Sequence, residues 1–165
     1  LKGLIESGVF GLKAFMVDSG IEDFPFVNEN DLRKAFTVIS VYNIPLLVHA
    51  EIDCGFEKIS GHDEYSYNSF LSKRPDEWEI KAIELLIKLC REFNFHIHIV
   101  HLSSSEAIEL IKDAKKEGLK LTVETCPHYL IFSSDEITGN DTRYKCTPPI
   151  RNTANREKLW TAIKE

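Results

Sequence analysis

Four short apolar runs, each followed by a polar loop and a stretch of helical periodicity, set the terms for this chain. They fall at residues 8–15, 45–48, 95–100 and 119–124. Repeated strand–helix units build a parallel sheet or a (β/α) barrel, so the fold class is α/β. Such folds carry their chemistry at the C-terminal ends of the strands. Three side chains stand at such ends. Lys13 follows Gly8-Val9-Phe10-Gly11-Leu12, His49 follows Pro45-Leu46-Leu47-Val48, and His101 follows His98-Ile99-Val100. Together they point to a metal-dependent hydrolase.

The segments between the runs read as helices with recognisable ends. Residues 1–6 look like the tail of a helix stopped by Gly8. Asn28 can cap a helix to about residue 42, with Leu32, Ala35, Phe36 and Ile39 on one face. Pro75 suits the first turn of a helix burying Ile83, Leu86, Ile87 and Cys90. Ser103 or Ser104 starts another, with Ala107, Leu110, Ile111 and Ala114 inward and Gly118 closing it. Asn152 can cap a last helix containing Leu159, Trp160 and Ile163. The longest connection, residues 52–74, has the length and polarity of a lid or binding loop. About four βα units result, whereas a closed barrel needs eight and typically about 250 residues. Residues 1–165 are therefore either a small open sheet or the middle of a larger barrel, and the expectation is one partial barrel domain with no second domain visible.

Composition removes several classes. A formal charge of −6, without any dense Lys/Arg run, offers no nucleic-acid groove or anionic-membrane surface. No apolar run approaches the ~20 residues of a membrane span. Cys54, Cys90, Cys126 and Cys146 lie far apart with no CxxC, which suits a reduced, intracellular and cytoplasmic protein. The sequence begins at Leu1, so targeting signals are not read from it.

A lysine ending a buried strand loses the hydration of its ammonium, and the neutral amine is nucleophilic. It could form a carbamate with carbon dioxide, a Schiff base, or simply an ion pair, the simplest reading of Lys13 alone. Neutral imidazoles at neighbouring strand ends strengthen the metal reading. His96 and His98 form an HxH pair inside a strand, where alternation sets them opposite Ile97, Ile99 and His101. That makes His96 structural or exposed and packs His98 under the helices or behind the site. Cys126 and His128 lie too near along the chain for nucleophile–base geometry. The prolines of the 145–151 loop could fix free backbone amides and carbonyls against a ring substrate.

Five stretches run in order along nearly the whole chain: Gly11-Leu12-Lys13-Ala14-Phe15, Leu46-Leu47-Val48-His49-Ala50-Glu51, His98-Ile99-Val100-His101-Leu102-Ser103-Ser104, Glu124-Thr125-Cys126-Pro127-His128-Tyr129-Leu130 and Lys145-Cys146-Thr147-Pro148-Pro149-Ile150-Arg151. Together they resemble the cyclic amidohydrolases: hydantoinases, dihydropyrimidinases, dihydroorotases and allantoinases. Within the group the likeness is greatest to the allantoinases. It is carried by Phe15-Met16-Val17-Asp18-Ser19-Gly20 with Phe24-Pro25, by residues 67–75, and by Pro148 to Asn152 with Ala154-Asn155-Arg156.

The resemblance implies a metal-dependent (β/α)8 TIM barrel with two divalent metal ions, usually zinc, bridged by a lysine carboxylated with carbon dioxide. By motif match Lys13 is that lysine, and His49 and His101 are ligands of the second metal. Thr147 falls where relatives contact the substrate ring with a small polar residue. Hydantoinases usually carry a substrate-contacting tyrosine five residues after the lysine; Asp18 stands there, which suits an allantoinase. The family's first-strand HxH belongs before Leu1 and its catalytic aspartate beyond Glu165. The chain is thus expected to supply roughly barrel strands four to seven and to be inactive alone. The implied reaction is ring-opening hydrolysis of allantoin to allantoate by a metal-bridged hydroxide, a step of purine catabolism. Alternatives are a hydantoinase or dihydropyrimidinase, or a non-catalytic scaffold or truncated product of the same fold. Implied partners are the small-molecule substrate and further copies of the chain, as a tetramer.

Overall fold

A computed structural model describes residues 1–55 and 65–165. The elements are α1 (Lys2–Glu6), β1 (Leu12–Phe15), α2 (Glu29–Ile39), β2 (Leu46–His49), α3 (Tyr67–Ser72), α4 (Asp76–Phe93), β3 (Ile97–Ile99), α5 (Ile108–Lys116), β4 (Leu121–Val123), α6 (Pro127–Ile131) and α7 (Thr153–Lys164). The strands form one parallel sheet in the order β1-β2-β3-β4. Residues 56–64, within the connection expected to be a lid or binding loop, lie outside the described residues. Among the described residues no helix is long and apolar enough to cross a membrane.

Register explains the core. Leu46, Ile97 and Leu121 align across β2, β3 and β4, as do Val48, Ile99 and Val123. This face packs on Leu32, Phe36 and Ile39 of α2, on Ala82, Ile83, Leu86, Ile87 and Cys90 of α4, and on Ile111 and Ala114 of α5. Period-2 strands thus meet period-3.6 helices through their apolar faces. The opposite face carries the row Lys13, Leu47, His98 and Thr122, with Phe15 beside His49 one layer on. Gly11 lets β1 approach β2, because a Cβ there would lie 2.8 Å from Leu47 Cδ1.

The helix ends follow the expected chemistry with small shifts. Asn28 and Asp31 make a reciprocal capping box, but α2 stops at Ile39, where a tight Tyr42 N–H to Ile39 carbonyl turn takes over. Pro75 is the residue before α4 rather than inside its first turn. Ser104 caps a single 3₁₀ turn that leads into α5. Gly118, at φ +80, follows α5, and Asn152 caps α7. A second cluster of Tyr67, Tyr129, Ile150 and Leu159 fixes the 145–151 loop. Its hydroxyls are committed: Tyr67 donates to the Ile150 carbonyl at 2.8 Å and Tyr129 to that of Pro148 at 2.7 Å. Ser103 donates to the Pro149 carbonyl at 2.5 Å. These carbonyls, expected to be free for a ring substrate, instead accept from the protein's own hydroxyls.

Candidate metal centre

The three residues singled out by their strand ends occupy three different backbone settings. Lys13 is the second residue of β1 rather than its last, while His49 closes β2. β3 stops at Ile99, so His101 lies two residues past its strand. Strict alternation from Ile97 and Ile99 would send His101 toward the helices. Its φ of +44, in the left-handed region that L side chains rarely adopt, turns it elsewhere. His101 instead meets His49 edge-on, with ring centroids 4.7 Å apart. Lys13 Nζ sits 4.1 Å from the Phe15 ring centroid, and that ring lies 5.6 Å from His49. The geometry brings the two histidines together and leaves the lysine one ring away.

Burial pushes the Lys13 ammonium down to about 8. Burial, reinforced by nearby His49 and Lys13, pushes the His101 imidazolium down to about 4. His101 is therefore neutral at pH 7, and its Nδ1 is buried with no hydrogen-bond partner among the described residues. An orphaned neutral nitrogen beside a second imidazole, with an amine that deprotonates near neutrality, suits a divalent metal such as zinc. Among the described residues no group of three or more His, Cys, Asp or Glu could hold a metal.

Two buried carboxylates support the histidines, and sequence reading assigned them no role. Glu51 is fully buried, its Oε2 lying 2.5 Å from His49 Nε2 and 3.1 Å from Arg74 Nη1. Glu79 accepts the Ser103 N–H at 2.9 Å and pairs with Arg151 Nη2 at 2.9 Å. Burial pushes the Glu79 carboxyl up, against the pull of Arg151. Asn155 completes the clamp, accepting the Ser105 N–H at 2.6 Å and donating to the Ser103 carbonyl at 2.8 Å. The signals were present. Glu51 stands two residues after His49, and Glu79 is an acid on the stripe that includes Ala82, Ile83 and Leu86.

The remaining candidates stand apart. Thr147 is exposed, and among the described residues no hydrogen bond or ion pair joins it to Lys13, His49 or His101. His98 is not packed under the helices, because it shares the Lys13 row on the opposite face. There its Nδ1 lies 2.8 Å from Thr122 Oγ1, which also lies 2.9 Å from His96 Nε2. Burial pushes the Cys126 thiol up, the wrong direction for a nucleophile, and no hydrogen bond links it to His128 among the described residues.

No protein-family model matches the sequence. An allantoinase of Arabidopsis thaliana is 49% identical over 175 residues, covering 100% of this chain and 35% of that protein. The chain is homologous to the allantoinases. The allantoinase of Saccharomyces cerevisiae is 41% identical over 169 residues, covering 98% of this chain and 36% of its own length. The chain thus spans about a third of the length of the curated relatives it matches. Among solved structures, D-hydantoinase from Bacillus sp. AR9 superposes with a TM-score of 0.84 at 26% identity, covering 97% of this chain and 36% of that one. The α/β fold with its parallel sheet therefore resembles that of hydantoinases.

Proposed function

We propose that the protein carrying this allantoinase-homologous chain hydrolyses allantoin to allantoate. The observation that carries this reading is the meeting of His49 and His101, 4.7 Å apart, in a chain 49% identical to an allantoinase. In it the four strands are roughly the fourth to seventh of a (β/α)8 barrel, in a homo-oligomer inside the cell. Lys13, His49 and His101 would hold two divalent metal ions, with zinc the expected element. When bound, these supply Lewis acidity at neutral pH.

The chain's own groups prepare that site. Lys13, its ammonium lowered to about 8, offers a neutral amine more readily than an exposed lysine does. Its lone pair adds to the carbon of carbon dioxide, one nitrogen proton leaves, and an anionic carbamate results. His101 stays neutral at pH 7 and so keeps a lone pair to donate. In this reading Thr147, exposed on a loop pinned through Pro148, Pro149 and Ile150, would hydrogen-bond the substrate ring.

A hydantoinase or dihydropyrimidinase is the second reading, favoured by the superposition at 26% identity and disfavoured by the higher identity to allantoinases. The test is turnover of allantoin, hydantoin and dihydrouracil by the full gene product, before and after chelation. Allantoin turnover that chelation abolishes and zinc restores is expected. Preference for hydantoin or dihydrouracil would reassign the substrate. Inactivity on all three by a folded protein would leave a non-catalytic scaffold.

A further inference from the structure

We propose that Glu51, held by Arg74, is a positioning residue that fixes His49 as its Nε2–H tautomer. His49 Nδ1 is thereby left as the nitrogen free to bind a metal. This inference rests on the metal reading of the site and adds a named residue and a named atom to it.

The argument starts from proton counting. His49 and Glu51 lie 2.5 Å apart through Nε2 and Oε2, so a proton sits between them. The same Oε2 lies 3.1 Å from Arg74 Nη1, which can only donate. A guanidinium donating to the same oxygen favours the carboxylate form of Glu51, so the proposal assigns the shared proton to Nε2. Neutral imidazole carries one N–H, so the lone pair is then on Nδ1. Both partners are enclosed: His49 is 5% exposed and Glu51 0%. Water therefore cannot readily substitute for the carboxylate. Only Ala50 separates His49, the last residue of β2, from Glu51, so the pairing is local to the strand end.

Arg74 comes from the far end of the long connection, two residues before α4. Its guanidinium also lies 5.3 Å from the Trp78 ring, and Trp78 Nε1 donates to the Gly55 carbonyl at 3.0 Å. The end of β2 is thus tied to the start of α4 through residues on both sides of the carboxylate. Glu51 Oε1 has no hydrogen-bond partner among the described residues. The fixed oxygen is therefore the one on His49.

The test uses the intact protein with 15N-labelled histidine, and His49 signals are assigned by their loss in His49→Gln. In the metal-free parent, a protonated Nε2 and an unprotonated Nδ1 are expected. Glu51→Ala should mix the two tautomers and weaken zinc binding roughly 10- to 100-fold. Glu51→Gln keeps an acceptor oxygen and should retain both the tautomer and most of the affinity. This variant separates positioning from a general folding defect. A parent with protonated Nδ1, or a folded Glu51→Ala that binds zinc as tightly as the parent, overturns the proposal. A parent with the expected tautomer that takes up no zinc overturns it through the metal reading on which it rests.

Discussion

At the end of β2 a buried glutamate touches a histidine side chain; at the end of β3 a buried glutamate touches the backbone two residues beyond one. Glu51 contacts His49 Nε2, whereas Glu79 accepts the Ser103 N–H. Each is paired with an arginine, Arg74 in the first case and Arg151 in the second. His49 needs no unusual backbone, because it is the last residue of a regular strand. His101 depends on a left-handed residue and on a loop clamped by Glu79, Asn155 and Arg151. One histidine is aimed through its ring and the other through its main chain. The two carboxylates therefore control different degrees of freedom, and substitutions should separate them.

The largest effect is expected at Arg151. Its side chain is 6% exposed and that of Glu79 2%, so Arg151→Ala leaves a buried carboxylate without its cation. Removing one partner of such a pair costs about 3–5 kcal/mol. Arg74 is more exposed, at 22%, and its loss leaves His49 still bonded to Glu51. Arg74→Ala should cost less, about 1.5–3 kcal/mol for a hydrogen bond to a charged group. Urea unfolding of both variants measures the difference. Equal losses would mean that the two glutamates are held in the same way.

A second pair of substitutions tests the backbone side of the contrast. A left-handed residue costs roughly 1–2 kcal/mol when it carries a Cβ. His101→Gly should therefore be more stable than His101→Ala by about that amount. At His49 the order should reverse, because glycine within a strand loses about 0.5–1 kcal/mol relative to alanine. Thermal unfolding of the four variants reads both differences. If glycine and alanine rank the same way at both positions, His101 is not held by backbone strain.

The sequence showed what depends on periodicity and capping. The four strands, the α4 stripe from Ile83 to Cys90 and the caps at Asn28 and Asn152 all lay in local pattern. So did the motifs carrying Lys13, His49 and His101. What local pattern missed had several sources. The two placements of His98 stayed open because its neighbours did not reveal which strand face the helices cover; register removes the helix-packed one by aligning His98 with Leu47 and Thr122. The Glu79–Arg151 pair spans 72 residues, so neither member announces the other. Left-handed His101 was equally hidden, because asparagine at position 94 is an ordinary helix-ending residue whereas histidine at 101 is not. Glu51 could have been recognised from its two-residue spacing to His49, had its burial been visible.

The smallest effect is a pH dependence carried by the backbone-held histidine. His101 titrates at about 4 in the folded chain against 6.5 for a free imidazole. Between those values the unfolded chain binds more protons, so stability rises with pH across that window. Its contribution is complete above about 6.5 and is lost as pH falls toward 4. Partial solvent exposure limits its size, and His101→Gln should flatten the slope without moving the plateau at pH 7 to 8. The measurement is urea unfolding of chelator-treated protein at pH 5 and pH 7, parent against variant. An unchanged slope in His101→Gln would place the proton uptake elsewhere. The turn at φ +44 would then orient His101 without stripping enough water from its ring to keep it neutral.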